Sequence, residues 1–333
     1  MSTIASATIA ERSPRVAVID VVKGAAILAM IVYHFAWDLS AYRLIAVDVT
    51  TDLGWRFFAR TIAATFLAMV GVNLVLATRA GLRPGPYVRR LAIILAAALL
   101  VTLGTWWLDP NTFVFFGILH AIFVASILAL PFLRAPVWLI LVAAVFFLAG
   151  PGFLRSPFFD APGWYWLGLS PNPPATVDYV PLFPWFGAVL AGIALGRLIV
   201  ARPDLPLWRW PARSRVSRLL AAAGRWSLAI YLIHQPVLIG SLMLVAPLLG
   251  PSEAALRRQV FVEFEASCAA VGYERPVCEA YAACILAELD RHQNILSDAA
   301  RHTLSDADQA LWLRYVEQCR TKILPVPSLS GAI

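Results

Sequence analysis

Long apolar runs separated by short connectors dominate this sequence. Each run is close to the ~20 residues that an α-helix needs to cross a bilayer. Charged residues make up 14% of the chain, against about 25% in a typical soluble protein. The pattern predicts an all-α fold, a polytopic membrane bundle of about seven transmembrane helices, and it excludes a disordered, fibrous or ordinary cytosolic protein. The predicted spans are 16–39, 55–78, 89–108, 112–131, 134–150, 182–200 and 226–249.

The arginines in the connectors predict the orientation of the chain, because cytoplasmic loops are enriched in Lys and Arg. With the N-terminus inside, the inside loops hold fourteen arginines, among them Arg12 and Arg15, and the outside loops and adjacent helix ends hold four. We therefore expect a cytoplasmic N-terminus and an external C-terminal tail. Although the net charge is +7, arginines in short connectors are typical of membrane topology and argue against nucleic acid as a partner.

The C-terminal part of the chain differs in composition from the rest, with 8 basic and 11 acidic residues after position 250. We expect a membrane domain over 1–250 and a small external tail over 251–333, built from two or three amphipathic helices. Ser252 and Ser305 are good N-caps for two of these helices, and Pro276 fits the first turn of another.

All the cysteines of the chain lie in this tail, on the side of the membrane where disulfides persist. Their spacing does not fit paired zinc ligands, so we expect no metal. Two disulfides are the favoured interpretation, with free structural thiols as the alternative. The sequence leaves all three pairings open. The candidates are Cys268, Cys278, Cys284 and Cys319.

Ionisable side chains inside the first apolar run are functional signals, because a charge in the hydrocarbon costs about 2.5–3.5 kcal/mol and usually faces an interior cavity. Asp20 and Lys23 are spaced to pair, and His34 and Asp38 share one helix face. A carboxylate can fix the tautomer of a histidine and raise its basicity, as a general base requires. His34 with Asp38 is therefore a predicted catalytic pair. The alternative is that Asp20, Lys23 and Asp38 only mark the membrane interfaces.

Two further histidines are predicted to reach the middle of the membrane. His120 and His234 each lie about eight residues into a span, ~12 Å from its face, so they could converge at a site. The alternative is that each is a satisfied core residue. Asn73 is expected to hydrogen-bond across helices, and Gln235 is a further intramembrane polar residue.

Several motifs occur in order over most of residues 15–240. They include Asp20-x-x-Lys23-Gly24, Tyr33-His34-Phe35, Phe116-Gly117-Ile118-Leu119-His120, Asp178-Tyr179-Val180-Pro181 and Tyr231-Leu232-Ile233-His234-Gln235-Pro236. This set resembles the catalytic-domain family of heparan-α-glucosaminide N-acetyltransferases, in its bacterial branch, within the broader membrane acyltransferase superfamily. Loop 40–54 lacks the histidine that the animal enzymes carry there, so the chemistry would fall on His34, as the resemblance to bacterial O-acyltransferases implies, or on another residue.

The resemblance implies a bacterial inner-membrane enzyme that moves an acetyl or other acyl group from acyl-CoA to a sugar amine or hydroxyl. Arg89, Arg90 and Arg225 could attract the CoA phosphates, unless they only set the topology. The expected partners are the lipid bilayer, acyl-CoA, a glycan or amino-sugar acceptor and, as one option, a second copy in a homodimer. The alternative functions are a proton-coupled small-molecule transporter and a non-enzymatic envelope scaffold.

Overall fold

The computed structural model of the chain describes residues 16–292, 295–300 and 303–324. Arg12 and Arg15, which entered the orientation argument, lie outside these residues. Within the described ranges the regular structure is helical, apart from one isolated parallel β-bridge between Phe116 and Tyr179. The predicted all-α fold is confirmed. The α-helices are α1 Ala17–Ala41, α2 Leu53–Thr78, α3 Pro84–Leu108, α4 Ile118–Leu128, α5 Val137–Ala149, α6 Leu182–Val200, α7 Arg215–Arg225, α8 Ser227–Leu249, α9 Glu253–Ala270, α10 Arg275–Leu289, α11 Ile295–Ala300 and α12 Asp306–Ile323.

The apolar helices make this a multi-pass membrane protein. In the described part of the chain, α1, α2, α3, α6 and α8 are long and apolar enough to cross a membrane. The fourth and fifth predicted spans are the shorter apolar helices α4 and α5. α4 begins late because Phe116 is held in the extended bridge to Tyr179. α5 begins after Pro136, whose ring and missing N–H cannot continue a preceding helix.

The chain divides into two compact units, one of Met1–Ile31 with Phe57–His234 and the other of Val32–Arg56 with Gln235–Ile333. The predicted division at residue 250 into a membrane domain and an external tail stays a prediction.

Small residues allow close helix packing in the first unit. A Cβ atom added at Gly71 of α2 would overlap the carbonyl oxygen of Val189 in α6, and one added at Gly192 of α6 would overlap that of Ala68 in α2. The two backbones are therefore in direct contact, which is typical of membrane helices with small residues at their interface. Around this crossing lies the largest buried cluster, which includes Leu67, Leu74, Phe186, Leu190 and Ile193.

The helices of the tail begin where the sequence predicts. The Ser252 hydroxyl accepts the backbone N–H of Ala255 at 3.2 Å, and the Ser305 hydroxyl accepts that of Asp308 at the same distance. Pro276 lies in the first turn of α10. These caps satisfy N–H groups that a helix leaves without intrahelical partners.

Two disulfides cross-link the tail, as predicted. Cys268 at the end of α9 pairs with Cys278 in α10, and Cys284 in α10 pairs with Cys319 in α12. The pairing follows from the packing of these helices around a common core that includes Tyr281.

Removing the Cys284–Cys319 disulfide is expected to destabilise the tail more than removing Cys268–Cys278. The two bridges span 35 and 10 residues. The chain-entropy relation gives about 4 and about 3 kcal/mol for loops of these sizes. Thermal unfolding and the rate of tryptic cleavage within the tail would measure the effect in the two double-serine variants. Equal losses, or a larger loss from the shorter loop, would contradict this explanation.

Candidate functional site

A buried carboxylate and a carboxamide form the centre of the candidate site in the second unit. Asp38, in the last turn of α1, is 1% exposed, and its Oδ1 accepts a 2.8 Å hydrogen bond from Nε2 of Gln235 in α8. Among the described residues, neither Asp38 Oδ2 nor Gln235 Oε1 has a hydrogen-bond partner, although both atoms are buried. A buried polar atom without a partner is unfavourable, and a catalytic role is one of the explanations for its presence in a native protein.

His34 lies one helical turn before Asp38 and is half-buried. Its ring packs edge-on against Tyr33 with a centroid distance of 5.6 Å, and the Tyr33 ring lies 6.3 Å from that of Trp55. The side chain that donates a hydrogen bond to Asp38 Oδ1 is Gln235. Orientation of His34 by Asp38 therefore stays a prediction, and Gln235 is a partner of Asp38 that the sequence did not assign.

A second polar cluster forms in the first unit, where Asp178 meets the N-terminus of α4. Its Oδ2 accepts the backbone N–H of Ile118 at 3.0 Å, and the Tyr231 hydroxyl donates to the same carboxylate. Burial raises the pKa of the Asp178 carboxyl, and these two hydrogen bonds oppose that rise. The approach requires Gly117, because a Cβ atom there would overlap Asp178 Oδ2.

His120 belongs to the same cluster. Its Nδ1 accepts the backbone N–H of Gly117 at 3.3 Å, and its Nε2 lies 3.3 Å from the Thr102 hydroxyl oxygen. Because that hydroxyl donates its proton to the Val114 carbonyl at 2.7 Å, its oxygen accepts from Nε2–H. Both ring nitrogens are thus engaged, which favours a role for His120 in positioning the start of α4.

His234 is connected to this cluster through Tyr231. The Nδ1 atom of His234 lies 2.7 Å from the Tyr231 carbonyl oxygen, while the Tyr231 hydroxyl bonds Asp178. A carbonyl oxygen can only accept, so Nδ1 carries a proton, and in the neutral ring Nε2 is the acceptor nitrogen. The structure thus connects both histidines predicted at mid-membrane to the surroundings of Asp178. Asp178 and Tyr231 occur in the motifs of the sequence, but nothing local indicated that they meet.

The remaining predicted polar residues have separate positions. Asp20 and Lys23 form an ion pair at 3.6 Å, as their spacing predicted. Asn73 was expected to bond across helices, but its amide donates to the Met69 carbonyl at 2.6 Å, because that carbonyl lies one turn earlier on the same helix. Within the described residues, no group of three or more His, Cys, Asp or Glu side chains could hold a metal ion.

The three predicted CoA-binding arginines differ in exposure. Arg89 and Arg225 are exposed, whereas Arg90 is half-buried in α3. No carboxylate in the described part of the chain forms a salt bridge with Arg90. One turn earlier, the Tyr87 hydroxyl donates to the Ser126 carbonyl at 2.7 Å, and the buried Ser126 hydroxyl has no partner among the described residues.

Asp178→Asn is expected to flatten part of the pH dependence of stability. The pKa of Asp178 is raised in the folded state, so its contribution to the free energy of unfolding is fully present below the unfolded pKa of about 4. That contribution is lost as pH rises through the pKa of the folded state. The neutral variant should therefore gain stability relative to the wild type as pH increases above about 4.

Thermal unfolding in detergent across this range would measure the difference. Asp160→Asn is the matched control, because the Ser170 hydroxyl lowers the pKa of Asp160. The contribution of Asp160 to the free energy of unfolding therefore depends on pH in the opposite direction, and it is lost as pH falls. A difference between wild type and Asp178→Asn that does not change with pH would contradict the prediction.

The family model described as "Heparan-alpha-glucosaminide N-acetyltransferase, catalytic" matches residues 15–236. Comparisons with curated proteins and with solved structures gave no match. The matched range ends one residue after Gln235, so it includes His34, Asp38 and both polar clusters, and it excludes the disulfide-bonded tail.

Proposed function

The chain belongs to the heparan-α-glucosaminide N-acetyltransferase catalytic family, and from this premise we propose that it transfers an acetyl or related acyl group from acyl-CoA to a sugar amine or hydroxyl. The acceptor is a glycan or an envelope component. The proposed location is the bacterial inner membrane, with the N-terminus in the cytoplasm and the tail outside. The excess of arginines in the predicted inside connectors supports this orientation.

The pairing of Asp38 with Gln235, one turn from His34, is the observation that carries the proposal. The amide of Gln235 holds one carboxylate oxygen, and Oδ2 remains for a donor. We assign that donor as His34 when its ring is protonated. A buried carboxylate stabilises an imidazolium because the charges are poorly screened away from water.

In the proposed reaction, the acceptor oxygen or nitrogen attacks the thioester carbonyl carbon. A His34 ring nitrogen takes the proton from that O–H or N–H group at the same time. The new C–O or C–N bond forms, the C–S bond breaks, and His34 returns the proton to the leaving CoA sulfur. Proton transfer of this kind contributes typically 10²–10⁴-fold to a rate. A role for His120 and His234 in lining the path of the acyl group stays a prediction from the sequence.

For the donor, Arg90 is the residue that we assign to a CoA phosphate. Arg90 is half-buried and forms no salt bridge with a carboxylate in the described structure. Tyr87, one turn earlier, donates to the carbonyl oxygen of Ser126, whose buried hydroxyl has no partner among the described residues. Arginine is well suited to phosphate because its planar fork donates two parallel hydrogen bonds. Arg89 and Arg225, which are exposed, would add attraction at longer range.

Release of free thiol from acetyl-CoA tests the function directly. The full chain in nanodiscs, with a panel of amino sugars and glycans, is expected to release thiol only when an acceptor is present. The acceptor should gain the mass of one acetyl group in equal amount. Proteoliposomes that accumulate a substrate without thiol release would instead indicate a transporter. Absence of both activities with folded protein would favour an envelope scaffold.

A further inference from the structure

Helix α7 lies in the connector between two membrane spans. The span α6 ends at Val200 and the span α8 begins at Ser227, so the residues between them stay at one face of the membrane. The eleven residues of α7 are too few to cross a bilayer, which takes about 20. Its position in the chain therefore places α7 beside the lipid headgroups.

One face of α7 is packed against α1. Ser217, Ala221 and Gly224 are buried. A Cβ atom at Gly224 would overlap the Asp20 carbonyl oxygen, and one at Gly24 would overlap the Leu220 carbonyl oxygen. This reciprocal contact prevents α7 from rotating about its own axis. The directions of its other two faces are therefore determined by the fold.

The other two faces are exposed and differ in chemistry. Val216 and Leu219 lie three residues apart, so they are neighbours on the helix surface, and they are 67% and 70% exposed. Adjacent exposed apolar side chains of this kind form a patch that can contact lipid or a partner. Arg215 and Arg218 are exposed on the remaining face. Trp226, at the C-cap of the helix, is 69% exposed, and tryptophan is enriched at membrane interfaces.

The charge around α7 has one sign. From Leu205 to Ser252 the sequence contains no acidic residue, and in the described structure Arg215 and Arg218 form no salt bridge. A helix with an apolar face beside a basic face is typical of segments that lie in the interface of an anionic membrane. The connector also contains Arg209, Arg213 and Arg225.

We propose that α7 is an in-plane interfacial helix that binds anionic phospholipids, with Val216 and Leu219 in the acyl boundary and Arg215 and Arg218 on the headgroup phosphates. The proposal does not depend on the transferase activity. In this interpretation the arginines of α7 bind lipid in addition to setting the orientation of the chain in the membrane.

The first test measures lipid selectivity. The full chain is reconstituted in vesicles of phosphatidylcholine and phosphatidylglycerol, extracted in mild detergent, and its retained lipids are quantified by mass spectrometry. Each arginine near an anionic surface contributes about fivefold in affinity, so Arg215→Gln/Arg218→Gln should lower phosphatidylglycerol binding by roughly 25-fold. The Arg215→Lys/Arg218→Lys variant should retain most of it.

The matched control is Arg258→Gln/Arg314→Gln, which removes two exposed arginines of the tail. This variant should retain phosphatidylglycerol like the wild type. Unchanged retention in the α7 glutamine variant, or an equal loss in the tail variant, would overturn the proposal. Thermal unfolding would verify that all variants remain folded.

The second test measures depth. The four native cysteines are all in disulfides, so a dye attached to Leu219→Cys or Val216→Cys reports one position. Nitroxides on the lipid acyl chains should quench both labels. They should not quench a label at Asp204→Cys, an exposed connector residue before α7. Labels at 216 and 219 that are quenched only by a water-soluble quencher would overturn the in-plane placement.

Discussion

His34→Ala is expected to lower acceptor-dependent thiol release by at least about 100-fold, the lower end of the range for general base catalysis, while the protein still folds. The reason is the place of His34 in α1, one turn before a buried carboxylate that Gln235 holds in position. Without the imidazole, the acceptor must attack while it still carries its proton. Asp38→Asn should have a smaller effect of about tenfold or more, because it keeps the side-chain shape but removes the charge that stabilises the imidazolium.

The measurement is the initial rate of thiol release at saturating acetyl-CoA and acceptor, together with its pH profile. The matched control is His292→Ala, an exposed histidine of the tail, which should leave the rate unchanged. In the wild type the rate should fall at acid pH as His34 becomes protonated, and this decrease should be absent from the residual rate of His34→Ala. A His34→Ala enzyme with more than about one tenth of the wild-type rate would remove His34 from the mechanism.

Gly192→Ala is expected to prevent normal folding or to lower the free energy of unfolding by about 3 kcal/mol or more, the upper part of the range for overpacking. The added methyl would overlap the backbone carbonyl of Ala68, so α2 and α6 would have to move apart. That movement would loosen the buried cluster around Leu67 and Leu190. Gly71→Ala should have a similar effect, because it is the reciprocal contact.

A graded series of glycines makes this test specific. A Cβ atom at Gly196 would lie 3.1 Å from the Val72 Cα, so Gly196→Ala should be destabilising but milder. Gly104 of α3 has no atom within 4 Å of an added Cβ, so Gly104→Ala should be neutral or stabilising by up to about 1 kcal/mol through helix propensity. Thermal unfolding and the monodisperse fraction in detergent would rank the variants. Equal losses at Gly192 and Gly104 would show that close packing is not the cause.

The fold class could be predicted because it depends on local properties of the sequence. The length and apolarity of the runs at α1, α2, α3, α6 and α8 are sufficient to indicate spans. The prediction was less accurate at α4 and α5. The Phe116 bridge to Tyr179 joins residues far apart in the chain, and no window of about 20 residues contains it.

The candidate site could be predicted only in part, for the same reason. The spacing of His34 and Asp38 on one helix is visible in the sequence, because it follows from the 3.6-residue turn. The partner of Asp38 is 197 positions away, and the contact of Asp178 with Ile118 spans 60 positions. Neither contact leaves a local pattern.

The sequence alone is sufficient to identify a multi-pass helical membrane protein of an acetyltransferase family, and it favours disulfides among the four cysteines of a polar tail. These properties follow from hydrophobic length, motif order and the position of each residue in the chain. The tertiary structure decided which cysteines pair, that Gln235 holds Asp38, and that Gly71 and Gly192 bring two backbones into contact. Such contacts depend on how helices distant in sequence pack, and packing is a property of the whole fold rather than of any single segment.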